Sequence, residues 1–326
     1  MNGEIYTPSH WIVVKVASLY YLEHKSQKEI ADMLSLSKTT VSRLLKQAEQ
    51  ERLVYTVFNE TYAKLLAMSN TICQKYGLKD TQIVLADEKF IEYEELKKKV
   101  ALEGARYIQR IIGNDDVLGV SWGRTVNYFI NYLNPCLKKN PTFVSLHGPA
   151  VFGEVRIDLD ETLRRLNMAF GKKLYAIPSY GIMPNKKSMQ IAVNDRQLQT
   201  ARQLFDHITI SITGVGVWYP VQDSPIATAL TPKAINELKK AQICADLCFR
   251  FIDINGNECD TPLKDQTVSI PIKDYKKIPT KVIVASGAYK AHAIHIILKA
   301  GLCDVLIIDS KLAEELLQSE NYNYLI

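Results

Sequence analysis

Apolar and polar positions along the chain keep a helical period at first and later alternate between strand-like and helical runs. From 10 to 24, Ile12, Val13, Val16, Leu19 and Tyr20 recur at helical spacing, with Pro8 and Ser9 as a start signal just upstream. Ser26 is placed to cap a helix over 27–34, and Glu29 at its third position completes a capping box. Ser37 is placed to cap another helix running to about Gln50. Three helices therefore occupy the first part of the chain. The β-prone run over 53–58, Leu53-Val54-Tyr55-Thr56-Val57-Phe58, predicts a short strand, suited to a wing or to pairing with a neighbour. Tyr62, Leu65, Leu66, Ser69, Ile72, Cys73 and Tyr76 then mark one helix face that can link two domains and pack in a dimer.

From 81 onward the pattern alternates. Strands are predicted at 82–86, 117–121, 143–146, 174–177, 207–213, 282–286 and 305–308. Amphipathic helices are predicted at 96–112, 126–133, 160–170, 191–205, 231–238, 290–299 and 312–317. That order is the pattern of a mostly parallel, doubly wound sheet covered by helices on both faces, so the fold class is α/β behind a helical N-terminal domain. The piece over 248–272, with Asp253-Ile254-Asn255-Gly256, departs from the alternation and predicts an antiparallel excursion or hairpin. The expected division is a helical domain at 1–58, a linker or dimerisation helix at 59–79 and an α/β domain at 80–326.

The helix-turn-helix expectation rests on Gln27, Ala31, Leu34, Leu36, Val41 and Leu44. Ala31 is small where a second helix crosses, and Ile30, Val41 and Leu44 fill a shared core. The second helix, 37–50, is the recognition helix. Its outer face carries Lys38, Thr39, Thr40, Ser42, Arg43 and Lys46, with no acid before Glu49; with Gln27 and Ser37 these are the candidate DNA-binding residues. Ser35 stands where many such turns have glycine. The plainer alternative is a helical hairpin with a solvated basic face. Residues 1–60 hold seven Lys or Arg against seven acids, which favours docking by one face, doubled in a dimer, over a broad electrostatic grip.

Composition narrows this reading only a little. A length of 326 residues admits one small domain and one large one, and 47% hydrophobic with 23% charged residues is the balance of a folded domain rather than a disordered chain. A net charge of +5 permits nucleic-acid contact without requiring it. The apolar stretch over 11–22 is interrupted by Lys15 and lacks a small-residue cleavage site, and no run reaches the length of a membrane span. A cytoplasmic protein is expected. Cys73, Cys136, Cys244, Cys248, Cys259 and Cys303 form no CxxC pair and no finger spacing, so buried free thiols are expected, with no metal and no cofactor.

In a parallel sheet, ligands sit beyond the carboxyl ends of the strands. Ser121-Trp122-Gly123-Arg124-Thr125 lies between a predicted strand and a helix and offers N–H groups, hydroxyls and a guanidinium, a set suited to a phosphate dianion. Ser286-Gly287-Ala288-Tyr289-Lys290 repeats the arrangement, with Gly287 allowing close approach and Lys290 supplying a point charge. Tyr180-Gly181 and Gly214-Val215-Gly216-Val217 complete the ring, Gly214 and Gly216 chiefly as backbone-fitting positions, and Asp246 is a candidate for a sugar hydroxyl. The plainer readings are tight turns, a solvated helix-start lysine and an exposed carboxylate.

The runs Ala17-Ser18-Leu19-Tyr20-Tyr21, Ser26-Gln27-Lys28-Glu29-Ile30-Ala31 and Thr40-Val41-Ser42-Arg43-Leu44-Leu45-Lys46-Gln47-Ala48 resemble the SorC family of bacterial sugar-responsive transcriptional regulators. Gly119-Val120-Ser121-Trp122-Gly123, Ala285-Ser286-Gly287-Ala288-Tyr289-Lys290 and Val305-Leu306-Ile307-Ile308-Asp309 extend the resemblance through almost the whole chain. It implies a sensor domain of the kind shared with sugar-phosphate isomerases and glucosamine-phosphate deaminases. Such a domain binds a phosphorylated sugar or related metabolite, in a homodimer or homotetramer on palindromic double-stranded operator DNA. In a deoxyribonucleoside-responsive member, a lysine in the segment matching Ser145-Leu146-His147-Gly148 forms a Schiff base with the sugar phosphate. His147 stands there in this chain, so no covalent adduct is expected and His147 becomes a candidate to hydrogen-bond a sugar hydroxyl. Ser286-Gly287 also replaces a Gly-Gly pair.

The expected function is thus a non-catalytic, effector-controlled transcriptional regulator. The alternative is a phosphosugar isomerase or deaminase-like enzyme with an accessory N-terminal domain. It needs a positioned acid or base, for which Asp246, Asp253, His147 and Asp309 are the available groups, whereas His292 and His295 read as packing or surface residues.

Overall fold

A computed structural model describes residues 9–55, 57–86, 93–134, 139–149, 159–171 and 173–318. Pro8, Thr56 and Cys136, invoked above, lie outside the described residues, as do the outermost residues of the two expected end domains. The chain divides into two compact units, Met1–Ala63 and Lys64–Ile326.

The first unit contains α1 (His10–Ala17), continued by a π-turn over Ser18–Leu22, then α2 (Gln27–Leu34) and α3 (Lys38–Gln50). Val13, Val16, Leu19, Ile30, Val41 and Leu44 form its core, with Ala31 buried beside them. The capping box is present: the Glu29 N–H donates to Ser26 Oγ, and Glu29 Oε2 accepts the Ser26 N–H at 2.8 Å. Ser37 Oγ accepts the Thr40 N–H at 3.0 Å and starts α3. The strand expected at 53–58 is not found in its described part. Arg52 turns left-handed (φ 57°), the Leu53 N–H closes on the Ala48 carbonyl at 2.9 Å, and Tyr55, Val57 and Phe58 are exposed. β propensity without a neighbouring strand to pair with does not make a strand.

In the second unit, α4 (Glu60–Tyr76) starts just before the boundary and buries Met68 and Ile72 in the core. Then come β1 (Asp80–Val84), α5 (Tyr93–Ile111), β2 (Val117–Val120), α6 (Arg124–Asn131), β3 (Thr142–Ser145), α7 (Leu159–Phe170) and β4 (Leu174–Tyr175). They are followed by α8 (Lys186–Val193), α9 (Arg196–Leu204), β5 (Ile210–Thr213), β6 (Gly216–Val217), α10 (Pro232–Lys240), β7 (Ile243–Leu247) and β8 (Arg250–Asp253). The unit ends with α11 (Ile272–Tyr275), β9 (Thr280–Ala285), α12 (Ala291–Lys299), β10 (Val305–Asp309) and α13 (Ser310–Gln318).

Seven strands make one sheet in the order β1-β10-β9-β5-β2-β3-β4, parallel throughout. Alternate side chains serve opposite faces. Val282, Val284, Val305 and Ile307 pack with α5 and α6 residues such as Ile108 and Phe129, while Ile283, Ala285, Leu306 and Ile308 pack with α12 and α13 residues such as Ile294 and Leu312. The expected excursion is a three-stranded antiparallel sheet, β6-β7-β8. The single helix expected over 191–205 is two, because Asp195 Oδ1 accepts the N–H groups of Gln197 and Leu198 and so restarts the helix.

Candidate functional site

β2 and β5 are neighbours in the sheet, yet the chain leaves β2 toward β3 on one side and leaves β5 toward β9 on the other. Their carboxyl ends therefore open a crevice between diverging connections, the topological switch point where ligands bind in such sheets. A cavity open to solvent lies there. Ser121, Gly123, Arg124, Thr125, His147, Gly214, Gly216, Asp246 and Lys290 all line it.

One wall is the start of α6. Gly123 provides no side-chain cap, so the N–H groups of the first helical turn are left without one where Gly123, Arg124, Thr125 and Val126 line the cavity. Gly123 has an extended backbone and open space around it, so no geometric need for glycine is evident there. Lys290 enters from the connection after β9. It is buried, its Nζ donates to the Val215 carbonyl at 2.9 Å, and burial lowers its pKa to about 8 against the opposing pull of Asp223. Asp246 is buried on β7 rather than exposed on a helix. Its Oδ1 accepts Trp218 Nε1–H at 2.7 Å and the Ser224 hydroxyl, and burial raises its pKa. Gly216 is required by this carboxylate, since a Cβ would stand 2.2 Å from Asp246 Oδ1; at Gly214 the nearest atom would be 3.9 Å away.

His147 sits in the wall with both ring nitrogens engaged. Nε2 accepts the Trp122 N–H at 3.0 Å, Nδ1–H donates to the Gly148 carbonyl (2.8 Å), and burial lowers the pKa to about 4. The ring is neutral, packs tilted against Phe249 with centroids 4.0 Å apart, and shapes the cavity without a nitrogen to spare for a sugar hydroxyl. Two expected residues are not brought to the cavity. Tyr180 is 58% exposed and borders a separate groove with Ile182, Leu230 and Leu263. Gly287 (φ 105°) lets Tyr289 and Tyr93 approach its own backbone instead of a ligand, and its N–H donates to Asp309 Oδ2 at 2.7 Å.

Sequence reasoning missed Asp223, whose Oδ1 accepts from Arg124 Nη2 and whose Oδ2 accepts from the Tyr289 hydroxyl, each at 2.5 Å. It also missed Lys97, Ser224 and Phe249 in the lining. Asp223 follows β6 in irregular chain, where periodicity carries no signal. Lys97 lies on a helix where a lysine reads as solvated, yet it is buried against Glu94 Oε2 at 2.6 Å.

In the first unit, Lys38, Thr39, Ser42, Arg43 and Lys46 are exposed along α3 beside exposed Ser37. Thr40 and Gln27 are half-buried, and Thr40 Oγ1 lies 2.8 Å from Ser37 Oγ. Val41, Leu44, Leu45 and Ala48 take the opposite face. The turn before α3 is made by Ser35 in a left-handed conformation (φ 51°), serving in place of glycine.

Asp309 and Asp253, two of the groups available to an acid-base mechanism, are spent on backbone N–H groups: Gly287 and Leu312 for the first, Asn255 and Asn257 for the second. Cys244, Cys248, Cys259 and Cys303 are free and buried, and Cys73 is free and half-buried. Among the described residues no cluster of three or more His, Cys, Asp or Glu is placed to hold a metal, and no helix is long and apolar enough to cross a membrane.

A three-helix unit whose last helix has a basic outer face and an α/β unit with a polar cavity at its switch point fit a DNA-binding transcriptional regulator. The family model described as a sugar-binding domain matches residues 60–318, and the model described as Sigma-70, region 4 matches 15–51. The chain belongs to the sugar-binding-domain family of SorC/DeoR-like transcriptional regulators. It is 28% identical over 307 residues to the deoxyribonucleoside regulator of Bacillus subtilis, covering 93% of this chain and 96% of that one. It is 24% identical over 317 residues to the sorbitol operon regulator of Klebsiella pneumoniae, covering 94% and 98%. The full-length crystal structure of that sorbitol operon regulator, SorC, superposes with a TM-score of 0.73 at 23% identity over 96% of this chain and 100% of that one, which shows a shared fold.

Proposed function

We propose that this regulator's operator affinity is controlled by a small phosphorylated sugar or related metabolite held in the β2/β5 cavity. The carrying observation is convergence: the first turn of α6, Arg124 and the buried Lys290 line one cavity whose lining also holds the buried carboxylate of Asp246. In this reading the cationic side takes the phosphate, with Ser121, Thr125, Gly123 and Gly214 around it, and Asp246 takes sugar hydroxyls. Gln27, Ser37, Lys38, Thr39, Thr40, Ser42, Arg43 and Lys46 form the DNA face. The names of the relatives, a deoxyribonucleoside regulator and a sorbitol operon regulator, support the ligand class.

The domains are assigned as 1–58 for DNA, 59–79 for linkage and dimerisation, and 80–326 for the effector. The protein acts in the cytoplasm as a homodimer or homotetramer on a palindromic operator. The effector domain is of the isomerase and deaminase type without turnover, a reading supported by the engagement of His147, Asp253 and Asp309 in structural hydrogen bonds. The test is thermal-shift screening of the full chain against sugars and their phosphates, since a ligand of the folded state raises its apparent stability. Stabilisation by phosphorylated but not by unphosphorylated sugars is expected. Turnover of a stabilising phosphosugar would favour the enzyme instead.

A further inference from the structure

The cationic side of the cavity already holds an anion, and it belongs to the chain. Asp223 Oδ1 accepts from Arg124 Nη2 at 2.5 Å, and its Oδ2 lies 3.9 Å from Lys290 Nζ. The Tyr289 hydroxyl, itself hydrogen-bonded to Tyr93, donates to the same Oδ2 at 2.5 Å. The backbone of Asp223 is tied to Val217, its N–H reaching the Val217 carbonyl at 2.8 Å, so the carboxylate is presented from a fixed base. Its side chain is one quarter exposed and lines the solvent-open cavity.

We propose that Asp223 is a built-in competitor for the anion subsite, a carboxylate that occupies Arg124 and Lys290 until a ligand's phosphate displaces it. This rests on the reading of the cavity as an effector site and adds its selectivity. A ligand carboxylate would exchange one negative charge for one and gain little. A phosphate dianion brings about two charges and three acceptor oxygens, enough to win both cations from Asp223. The empty site is thereby kept at a reduced positive charge and selective for dianions over sugar acids. Displacement also releases Tyr289 from its acceptor, so occupancy is felt at the connection between β9 and α12.

Asp223→Asn keeps the shape and a hydrogen-bond acceptor for Tyr289 while removing the competing charge. The probe is inorganic phosphate, titrated calorimetrically into the full-length protein at constant ionic strength, with thermal melting to confirm folding. Asp223→Asn is expected to tighten phosphate about ten-fold or more, as removal of a charge in contact with both cations requires. Tyr289→Phe, which removes one anchor of the carboxylate, is expected to tighten it several-fold. Glu103→Gln serves as the control, because Glu103 lies on the same α5 helix as Lys97 but pairs with Arg106, and neither Glu103 nor Arg106 lines the cavity. Unchanged or weaker phosphate binding by Asp223→Asn overturns the proposal, as does equal tightening by Glu103→Gln, which would reveal bulk electrostatics. If wild type binds phosphate and Asp223→Asn loses it, only the competitor fails and Asp223 is a ligand contact. If neither wild type nor Asp223→Asn binds phosphate, the effector-site reading fails with it.

Discussion

Lys290 is where burial and charge compete most directly. Its pKa is lowered to about 8 from 10.5, so the folded chain releases this proton before the unfolded chain does. Between those values the unfolded state binds more protons, and the contribution to stability rises with pH; below about 8 the buried charge carries its full cost. Affinity for a phosphorylated ligand runs the other way and falls as pH climbs through about 8, because the cation facing the phosphate is lost. Calorimetric titrations from neutral to alkaline pH check this, and Lys290→Arg, which stays charged, is expected to flatten the profile. Gly216 and Gly214 offer a second contrast. Gly216→Ala drives a methyl into Asp246 and is expected to cost about 1–3 kcal/mol in thermal unfolding and to impair ligand binding. Gly214→Ala meets no atom closer than 3.9 Å and is expected to be tolerated. At Ser35, the left-handed backbone costs about 1–2 kcal/mol for a residue with a side chain, against about 0.4–1 kcal/mol of extra unfolded-chain entropy for glycine. Ser35→Gly is therefore expected to stabilise the α2–α3 turn slightly, read as slower hydrogen exchange of the Leu36 amide, which donates to the Ala31 carbonyl.

At the scale of elements, α3 is proposed to make two kinds of DNA contact. Arg43→Ala is expected to cost about 1–3 kcal/mol of discrimination at one base pair if its guanidinium meets a guanine, while Lys46→Ala weakens all sequences alike and lowers the salt dependence. Unchanged operator affinity in both folded variants removes α3 as the recognition helix. The elements were also where the sequence was most readable. Strands β9 and β10 carry short β-branched runs, Val282-Ile283-Val284 and Ile307-Ile308, and the caps at Ser26 and Ser37 announce their helices. Positions just after strands led to Ser121, Arg124 and Lys290 because a parallel sheet gathers its carboxyl ends. What escaped depended on tertiary partners. Val57 and Phe58 have β propensity but no strand beside them; Asp195 breaks a helix through a side chain that periodicity ignores; Asp223 acts from a segment with no regular pattern. His147 was placed in the cavity wall, but that Trp122 and Gly148 would take both its nitrogens follows only from the fold.

The whole molecule comprises two compact units, to which the proposal assigns DNA reading and ligand reception. Balanced charge over residues 1–60 makes one copy of the first unit a weak binder, so two copies on an inverted repeat are expected, with half-sites about 34 Å apart or a multiple of one helical turn. Footprinting that shows a monomer on one asymmetric half-site contradicts that arrangement. The central claim, that a phosphorylated metabolite in the β2/β5 cavity sets operator affinity, is tested most directly by fluorescence anisotropy of labelled operator DNA titrated with the full-length protein. Wild type and Lys290→Ala are compared with and without a saturating phosphosugar found by the thermal-shift screen. The account predicts that the ligand changes wild-type operator affinity by about ten-fold or more, equivalent to a coupling of about 1.4 kcal/mol. Lys290→Ala is predicted to keep the ligand-free affinity and to need about one to two decades more ligand for the same change. Operator affinity that stays constant while the wild type is saturated with phosphosugar contradicts it.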